Sequence, residues 1–409
     1  MRTAWLSLLL CACSAQGPSE VEEIGPGAVS AEALRIHRSA LLVDGHNDLP
    51  WAIRASGGSS FDEIDISRPQ PRLHTDIPRL RQGGVGAQFW SVFVPAETAR
   101  RGVALHQVLE QIDLVHRMAR RYPEVFEMAD SADDVERIHR AGRIACLLGV
   151  EGGYAIEDSL AVLRMLRELG VRYMTLTHSD TTSWADSATD EPRHGGLAPF
   201  GEEVVREMNR LGVLVDISHV SVETMEDALR VSRAPVIASH SAAFALAPHP
   251  RNVPDGVLRR VAENRGVVMI NFYSGFVVRS SAERMAGVFD VRRRLREENP
   301  DDAAFRAAME RWRVENPIER GDVGVLVDHI EHVIAVAGID CVGLGSDYDG
   351  ITTLPEGLED VSCYPRITEE LLARGHSAAD IRKILGGNAL RALREAEEVA
   401  RAMQEEAAR

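Results

Sequence analysis

Apolar runs and amphipathic segments alternate along most of the chain from Ala31 onward. Eight of the runs are apolar on both faces, which is typical of strands covered on both sides of a parallel sheet. Most are separated by segments whose apolar positions recur with helical spacing. The predicted strands span residues 40–48, 85–94, 144–153, 171–179, 213–221, 235–242, 266–274 and 341–349.

Eight strand–helix units predict a (β/α)8 TIM-like barrel, with a doubly wound open sheet as the alternative. No glycine-rich phosphate loop follows the first strand, which counts against a nucleotide-binding sheet. We expect the barrel to occupy residues 31–390 and a charged C-terminal helix to occupy 391–409. Residues 277–321, rich in Arg and Glu, predict a helical insertion between the seventh and eighth strands. This insertion is interpreted as a solvated, salt-bridged helix pair, or alternatively as a lid or dimer contact.

The N-terminal segment MRTAWLSLLLCACSAQ has one arginine, a short apolar stretch and then small residues. This pattern predicts a signal peptide over residues 1–13. Its end is similar to a bacterial lipoprotein motif in which Cys13 would be acylated. Residues 14–30 are predicted to form a flexible tether. We therefore expect an exported protein, lipid-anchored to a bacterial membrane through Cys13, or otherwise periplasmic or secreted.

Charge and cysteine content exclude some classes of function. The 409 residues carry a formal net charge of −16, which argues against a nucleic-acid or anionic-membrane surface. The five cysteines have neither the pattern of a disulfide framework nor the spacing of a zinc finger. Histidines on helical or loop segments, among them His37, His249 and His329, are expected at the surface.

Ionisable side chains are found at the ends of six predicted strands. These residues are His46, Asp48, Glu151, His178, His219, His240 and Asp347. In a barrel all parallel strands point the same way, so their carboxyl ends converge on one rim. Any one of these residues could be structural, but a shared metal centre would satisfy the group together.

Mixed imidazole and carboxylate ligands suit zinc, with manganese, iron or cobalt as possible substitutes. Five of the strand-end residues, three imidazoles and two carboxylates, form a metal-ligand set. Five ligands are too many for one catalytic zinc with an open position, but they suit two zinc ions that share a bridging ligand. The only lysine, Lys383, lies in a helical segment far from any strand end, so a carbamylated lysine cannot be the bridge. We therefore expect a carboxylate bridge, with Glu151 as the candidate.

These strand ends resemble the motifs of the membrane dipeptidase (renal dipeptidase) family, binuclear-zinc peptidases with an amidohydrolase-like barrel. The resemblance extends from Asp44 to Arg391. Its segments are DGHNDLPW (44–51), GGVGAQFWSVFVP (83–95), GVEGG (149–153), YMTLTHSDTTSWADS (173–187), GLAPFG (196–201), DISHVS (216–221), SHSAAFALAPHPRNVPD (239–255), GLGSDYDG (343–350) and GGNALR (386–391).

The resemblance implies two ligand sets that share a bridging carboxylate. One zinc would be held by His46, Asp48 and Glu151, and the other by Glu151, His219 and His240. It also implies that His178 contacts the substrate near the scissile bond, that Arg251 binds the C-terminal carboxylate of the substrate, and that Asp347 transfers protons. Asp180 and Ala96 stand where mammalian members carry cysteines, so we expect that disulfide to be absent.

The function implied is zinc-dependent hydrolysis of dipeptides, with a D-residue accepted at the C-terminal position. A homodimer is the family expectation, and no nucleic-acid partner is expected. One alternative is another binuclear-metal amide or lactam hydrolase on the same barrel. The other is a non-catalytic binding descendant, which would be expected to have lost a metal ligand, whereas all five candidates are present.

Overall fold

The computed structural model describes residues 29–56 and 58–409. All eight predicted strands are present, and they form one closed parallel barrel, so the open-sheet alternative is wrong. The strands are β1 (Leu42–Asn47), β2 (Val85–Phe93), β3 (Phe126–Met128), β4 (Ile144–Glu151), β5 (Val171–Thr175), β6 (Leu214–Asp216), β7 (Ile237–Ser241), β8 (Val267–Ile270) and β9 (Val342–Leu344).

Barrel order is β2-β1-β9-β8-β7-β6-β5-β4, and pairing of β2 with β4 closes the ring. The closing pair runs in parallel register from Ala87↔Ala145 to Phe93↔Glu151. Strand β3, which the hydrophobic pattern did not predict, pairs only with the first residues of β4 and stands outside the ring. The eight strands of the barrel therefore all direct their carboxyl ends to one rim.

Helices cover the outside of this barrel. They are α1 (Ala31–Arg38), α2 (Leu49–Ala55), α3 (Ile77–Gln82), α4 (Glu97–Arg100), α5 (Ala104–Arg121), α6 (Ala132–Arg140), α7 (Leu160–Glu168), α8 (Pro199–Leu211), α9 (Val222–Val231), α10 (Asp255–Asn264), α11 (Ser274–Val277), α12 (Arg279–Met285), α13 (Val288–Glu298), α14 (Asp302–Glu315), α15 (Val323–Ala337), α16 (Tyr364–Ala373), α17 (Ala378–Arg382) and α18 (Asn388–Ala408). Short 3-10 turns lie at Gly153–Ile156, Ile339–Cys341 and Val361–Cys363, and a π turn lies at Lys383–Gly387.

Both predicted helical additions to the barrel are confirmed. The insertion consists of α11 to α14, between β8 and the helix α15 that precedes β9. The C-terminal helix α18 buries an alanine-rich face that includes Ala389, Ala392, Leu393 and Ala396. This face packs with residues inside the barrel in one apolar cluster, and α18 contacts β1, β6, β8 and β9. The helix thereby closes the end of the barrel opposite the rim formed by the carboxyl ends of the strands.

Three histidines expected at the surface are buried, so that expectation was wrong for them. His37, His249 and His329 are each at most 1% exposed. His37 bridges the Thr368 hydroxyl and the Gly83 carbonyl oxygen, at 2.7 and 2.8 Å. Helical periodicity did not reveal these partners because they come from distant segments of the chain.

The predicted signal peptide (residues 1–13), Cys13 and nearly all of the predicted tether (residues 14–30) lie outside the described residues. Ser30 is described: its hydroxyl accepts a hydrogen bond from the Ala33 N–H and caps α1. Among residues 29–56 and 58–409, no helix combines the length and apolar character that crossing a bilayer would require.

Candidate metal centre and active site

Glu151 lies at the centre of the rim, where the end of β4 meets histidines from four other strand ends. Its Oε1 atom is 3.0 Å from His219 Nε2, 3.3 Å from His240 Nε2 and 3.6 Å from His46 Nε2. His178 Nε2 lies at 3.7 Å from the same oxygen. The barrel thus brings these predicted ligands together although up to 194 positions separate them in the sequence.

The carboxylates Asp48 and Asp347 complete the cluster on the β1 and β9 side. Asp48 Oδ2 is 3.3 Å from His46 Nε2. Potential ligand atoms within 4.8 Å of one another form three groups: His46, Glu151 and His240; Glu151, His178 and His219; and His46, Asp48 and Asp347. These overlapping groups contain all seven strand-end residues. They do not by themselves divide the residues into the two ligand sets implied by the family resemblance.

Electrostatics favour a cation at this position. Burial acts to raise the pKa of Glu151, but the surrounding histidines hold that pKa well below its usual range. Burial, together with Arg251 and other nearby positive charges, pushes the pKa of His219 and of His240 well below the ordinary value. An ionised carboxylate and neutral imidazoles are the protonation states in which these groups bind metal.

Unpartnered polar atoms provide a direct test of whether a metal fits. Among the described residues, the buried atoms His46 Nε2 and Asp48 Oδ1 have no hydrogen-bond partner. The two imidazole nitrogens His219 Nε2 and His240 Nε2 face each other at 2.9 Å. Leaving such atoms unpaired in the interior is unfavourable, whereas a divalent cation would satisfy them together. The donor set therefore fits a metal centre.

A layer of buried polar groups beneath the rim orients the histidines. His46 Nδ1 lies 2.7 Å from the Tyr173 hydroxyl. The Ser239 hydroxyl donates to Asp216 Oδ2 at 2.6 Å and lies 2.8 Å from His240 Nδ1. When each Nδ1–H donates to its hydroxyl oxygen, the Nε2 lone pair is directed towards Glu151.

Backbone conformation at the site is unusual. His219 and Asp347 have φ angles of 68° and 63°, in the left-handed region that residues other than glycine rarely adopt. Gly350 allows the backbone to lie close to Asp48 and Asp347, because a Cβ there would lie 2.1 Å from Asp48 Oδ2 and 2.5 Å from Asp347 Oδ1. Strained positions of this kind are common at functional sites, where the fold holds a side chain in one orientation.

Asp347 and Arg251 are two buried charged residues at the cluster. Burial raises the pKa of the Asp347 carboxyl well above its usual range, and its Oδ2 accepts a hydrogen bond from Asn271 at 2.8 Å. Arg251 is 1% exposed and donates to the His240 carbonyl oxygen at 3.2 Å, while its Nε has no partner among the described residues. Its guanidinium lies over the Phe276 ring, 5.3 Å from the ring centre.

A cavity of about 300 Å³ opens above the cluster. It is lined by six of the seven strand-end residues, by Arg251, and by insertion residues that include Phe289, Arg292 and Arg313. His46 lies deeper, fully buried. The insertion therefore forms one wall of the cavity. This volume suits a small ligand rather than a protein chain.

Sequence reasoning missed several residues of the site. Tyr173 and Ser239 lie within predicted strands. No sequence pattern distinguished them as the residues that contact His46 and His240. Asp349 lines the cavity and accepts a hydrogen bond from the His74 N–H at 2.7 Å; its position in the motif SDYDG was the only signal. Arg292 and Arg313 were read only as part of a charged insertion.

Residues 30–407 match the family described as membrane dipeptidase (peptidase family M19). The chain belongs to this family. It is 41% identical over 394 residues to dipeptidase tcpJ from Claviceps purpurea (strain 20.1), with 93% of this chain and 84% of that protein covered. It is 40% identical over 373 residues to dipeptidase 3 from Mus musculus, with 90% and 67% covered.

A solved structure supports the same assignment. The probable dipeptidase PvdM from Pseudomonas aeruginosa has 26% sequence identity and a TM-score of 0.77, over 90% of this chain and 98% of that one. The protein is thus a dipeptidase of a metallopeptidase family, built on the predicted barrel. The cluster around Glu151 is the only group of strand-end ligands in the described residues that could serve such an enzyme.

Proposed function

We propose that this membrane dipeptidase homologue hydrolyses dipeptides with two zinc ions, bridged by Glu151. His46 and Asp48 would complete one site, and His219 and His240 the other. The observation that carries the proposal is the convergence of three histidine Nε2 atoms within 3.6 Å of the single atom Glu151 Oε1. One carboxylate shared between imidazoles from three strands supports a bridged pair more readily than a single ion.

The chain's own residues would bind the substrate and move protons. Bound zinc would polarise the peptide carbonyl and lower the pKa of the attacking water. His178, at the cavity wall beside Phe93, would stabilise the negative charge that develops on the carbonyl oxygen. Asp347 would take a proton from the water and deliver it to the leaving amine.

Arg251 would select substrates by length. Its buried guanidinium, with an unpaired Nε, can form a bidentate pair with the C-terminal carboxylate of a dipeptide. A longer peptide would place an amide there and leave the arginine without its counter-charge. We further propose that a D-residue is accepted at this C-terminal position, that the enzyme is a homodimer, and that it is exported and anchored through Cys13.

The test is hydrolysis of L,L- and L,D-dipeptides by the mature protein, with and without a chelator, together with metal counting by mass spectrometry. Chelator-sensitive cleavage with two zinc ions per chain is expected, and the L,D-to-L,L ratio measures the stereochemical preference. Glu151→Gln should lose both the second metal and the activity, whereas Glu127→Gln on the outer strand β3 should retain both. A Glu151→Gln protein with two metals and full activity would contradict the bridging role.

The second candidate function is hydrolysis of another amide or lactam on the same metal centre. The buried Arg251 argues for substrates with a free carboxylate. Comparing each dipeptide with its C-terminal amide would separate the two, because only a dipeptidase loses its rate when that carboxylate is removed.

A further inference from the structure

Two arginines of the insertion line the catalytic cavity in addition to Arg251. They are Arg292 on α13 and Arg313 on α14. Arg292 also lines two adjoining cavities, one beside His178 and one shared with Arg313. The part of the cavity wall formed by the insertion is therefore basic.

Arg292 has no acidic partner among the described residues, in contrast to Arg293 and Arg296 on the same helix. Arg293 pairs with Asp290 at 2.5 Å, and Arg296 pairs with Glu97 at 3.7 Å. Among the described residues, no ion pair or hydrogen bond is formed by the Arg292 guanidinium, which lies 5.9 Å from the centre of the Phe305 ring. Its side chain retains exposed surface on the cavity side.

Arg313 is only loosely held. In the part of the chain that the structure describes, its one ion pair joins Nη1 to Glu310 Oε2 at 3.5 Å, and both side chains are exposed. Exposed pairs of this kind contribute little free energy. The guanidinium of Arg313 can therefore move towards an anion in the cavity at small cost.

The positive charge on this wall is only partly offset by acidic side chains of the protein. Burial lowers the pKa of Arg292, and although Glu97 and Asp180 oppose the effect, Arg296 and Arg313 add to it. A carboxylate from a ligand that approaches such an arginine stabilises its charged form electrostatically. Arg251 is proposed to bind one carboxylate of a dipeptide, so the insertion arginines are available to pair with a second anionic group of the substrate.

We propose that Arg292 and Arg313 select dipeptides with an acidic side chain, aspartate or glutamate. This inference rests on the proposed dipeptidase function and names the substrate class within it. The guanidinium fork matches a carboxylate better than the isosteric amide, which presents N–H donors to another donor. Because neither arginine belongs to the metal-binding or proton-transfer groups, we expect the interaction to act mainly on substrate binding.

The test compares acidic dipeptides with isosteric amides: Asp-Ala with Asn-Ala, Ala-Asp with Ala-Asn, and the matching Glu and Gln pairs. The measured quantity is the acid-to-amide ratio of kcat/KM at each position. We expect a ratio well above one at one position or both in the zinc-loaded wild-type enzyme. Arg292→Gln should lower that ratio about tenfold, equivalent to about 1.4 kcal/mol, through an increase in KM. Arg313→Gln should lower it further, and Arg292→Lys should restore part of it.

Matched controls lie on the same two helices. Arg294 and Arg311 are exposed and do not line the cavity, so Arg294→Gln and Arg311→Gln change the net charge equally without touching the subsite. All four substitutions retain good helix-forming residues, so folding should be preserved. Raising the ionic strength should also reduce the wild-type ratio, since the interaction is electrostatic.

The proposal is overturned if the wild-type ratio is one or less, if Arg292→Gln and Arg313→Gln leave it unchanged, or if the controls lower it equally. Failure of the proposed function itself would be seen differently, as absence of cleavage of every dipeptide, neutral ones included. In that event the dissociation constants of Asp-Ala and Asn-Ala, and of Ala-Asp and Ala-Asn, are measured by calorimetry with the metal-loaded protein. The amide-to-acid ratio of Kd then replaces the acid-to-amide ratio of kcat/KM. The same arginine variants and controls test whether Arg292 and Arg313 select the acidic side chain.

Discussion

His46 Nδ1 lies 2.7 Å from the hydroxyl of Tyr173, inside the barrel and beneath the metal-binding rim. Both side chains are fully buried. The contact fixes the plane of the imidazole and, when Nδ1–H is the donor, keeps the Nε2 lone pair directed at Asp48 and Glu151. A fully buried strand residue thus orients a candidate metal ligand.

Tyr173→Phe should weaken metal binding by about 10–100-fold, the usual effect of removing a group that orients a ligand. The measurement is competition for zinc against a chelator of known affinity. Tyr122→Phe is the control, since its hydroxyl bonds to Asp65 away from the rim. Unchanged zinc affinity in Tyr173→Phe would show that packing alone orients His46.

Asp347→Asn should lower kcat by about 10²–10⁴-fold, the range for loss of a general acid–base group. The amide can still hold Asn271 but cannot carry a proton, so zinc content and KM should change little. Rates under saturating dipeptide, with metal counted in the same samples, make the measurement. Asp349→Asn, two residues away, should lose much less activity, because Asp349 Oδ1 already accepts the His74 N–H and Asp349 belongs to none of the candidate metal-binding groups. Equal losses in both variants would remove the special role of Asp347.

Strand ends could be read from the sequence because their chemistry is local. An apolar run that ends in His46, Glu151 or His240 predicts a strand and indicates that its polar residues lie at its carboxyl end. A parallel barrel then brings those ends together without further information. The same logic placed the insertion and α18 correctly, since each breaks the strand–helix alternation.

The supporting contacts could not be read in this way. Tyr173 is one apolar-looking strand residue among many, and its partner His46 is 127 positions away. His329 sits on a periodic helix but contacts the backbone of Ala243 across the fold. Nor does a charged stretch such as the insertion reveal which of its arginines faces a cavity. These features depend on three-dimensional packing, which periodicity alone does not specify.

Arg251→Gln should raise KM for dipeptides and lower kcat/KM by about 10²-fold or more, since a buried guanidinium–carboxylate pair would be lost. Dipeptide amides, which lack the carboxylate, should be cleaved equally slowly by the variant and the wild-type enzyme. Arg233→Gln serves as a control because that arginine pairs with Glu406 at the surface. If Arg251→Gln slowed dipeptides and their amides by the same factor, the arginine would be supporting the fold rather than the substrate.

Two buried histidines tie the Arg251 loop to the insertion. The His249 Nδ1 atom accepts a hydrogen bond from the Arg251 N–H at 3.1 Å, and its Nε2–H donates to the Met285 carbonyl oxygen at 3.2 Å. His329 is bonded in the same manner: Nδ1 accepts from the Ala243 N–H, and Nε2–H donates to a carbonyl oxygen of α11. A second proton on either ring would meet a backbone N–H, so both rings must be neutral in the folded protein.

Stability should therefore fall on acidification. Burial lowers the pKa of His249 and of His329 to about 4, from an ordinary value of 6.5. Between these values the unfolded chain binds more protons than the folded one, so the free energy of unfolding decreases as the pH falls from about 6.5 to about 4 and levels off below. Each histidine should contribute about 3 kcal/mol to that decrease.

Denaturant unfolding of the metal-free protein across this pH range is the measurement, because metal release would otherwise add its own pH dependence. His249→Gln and His329→Gln should each flatten the profile, whereas exposed His106→Gln should not. A wild-type profile that stays flat to pH 4 would contradict the neutral, buried state of both rings.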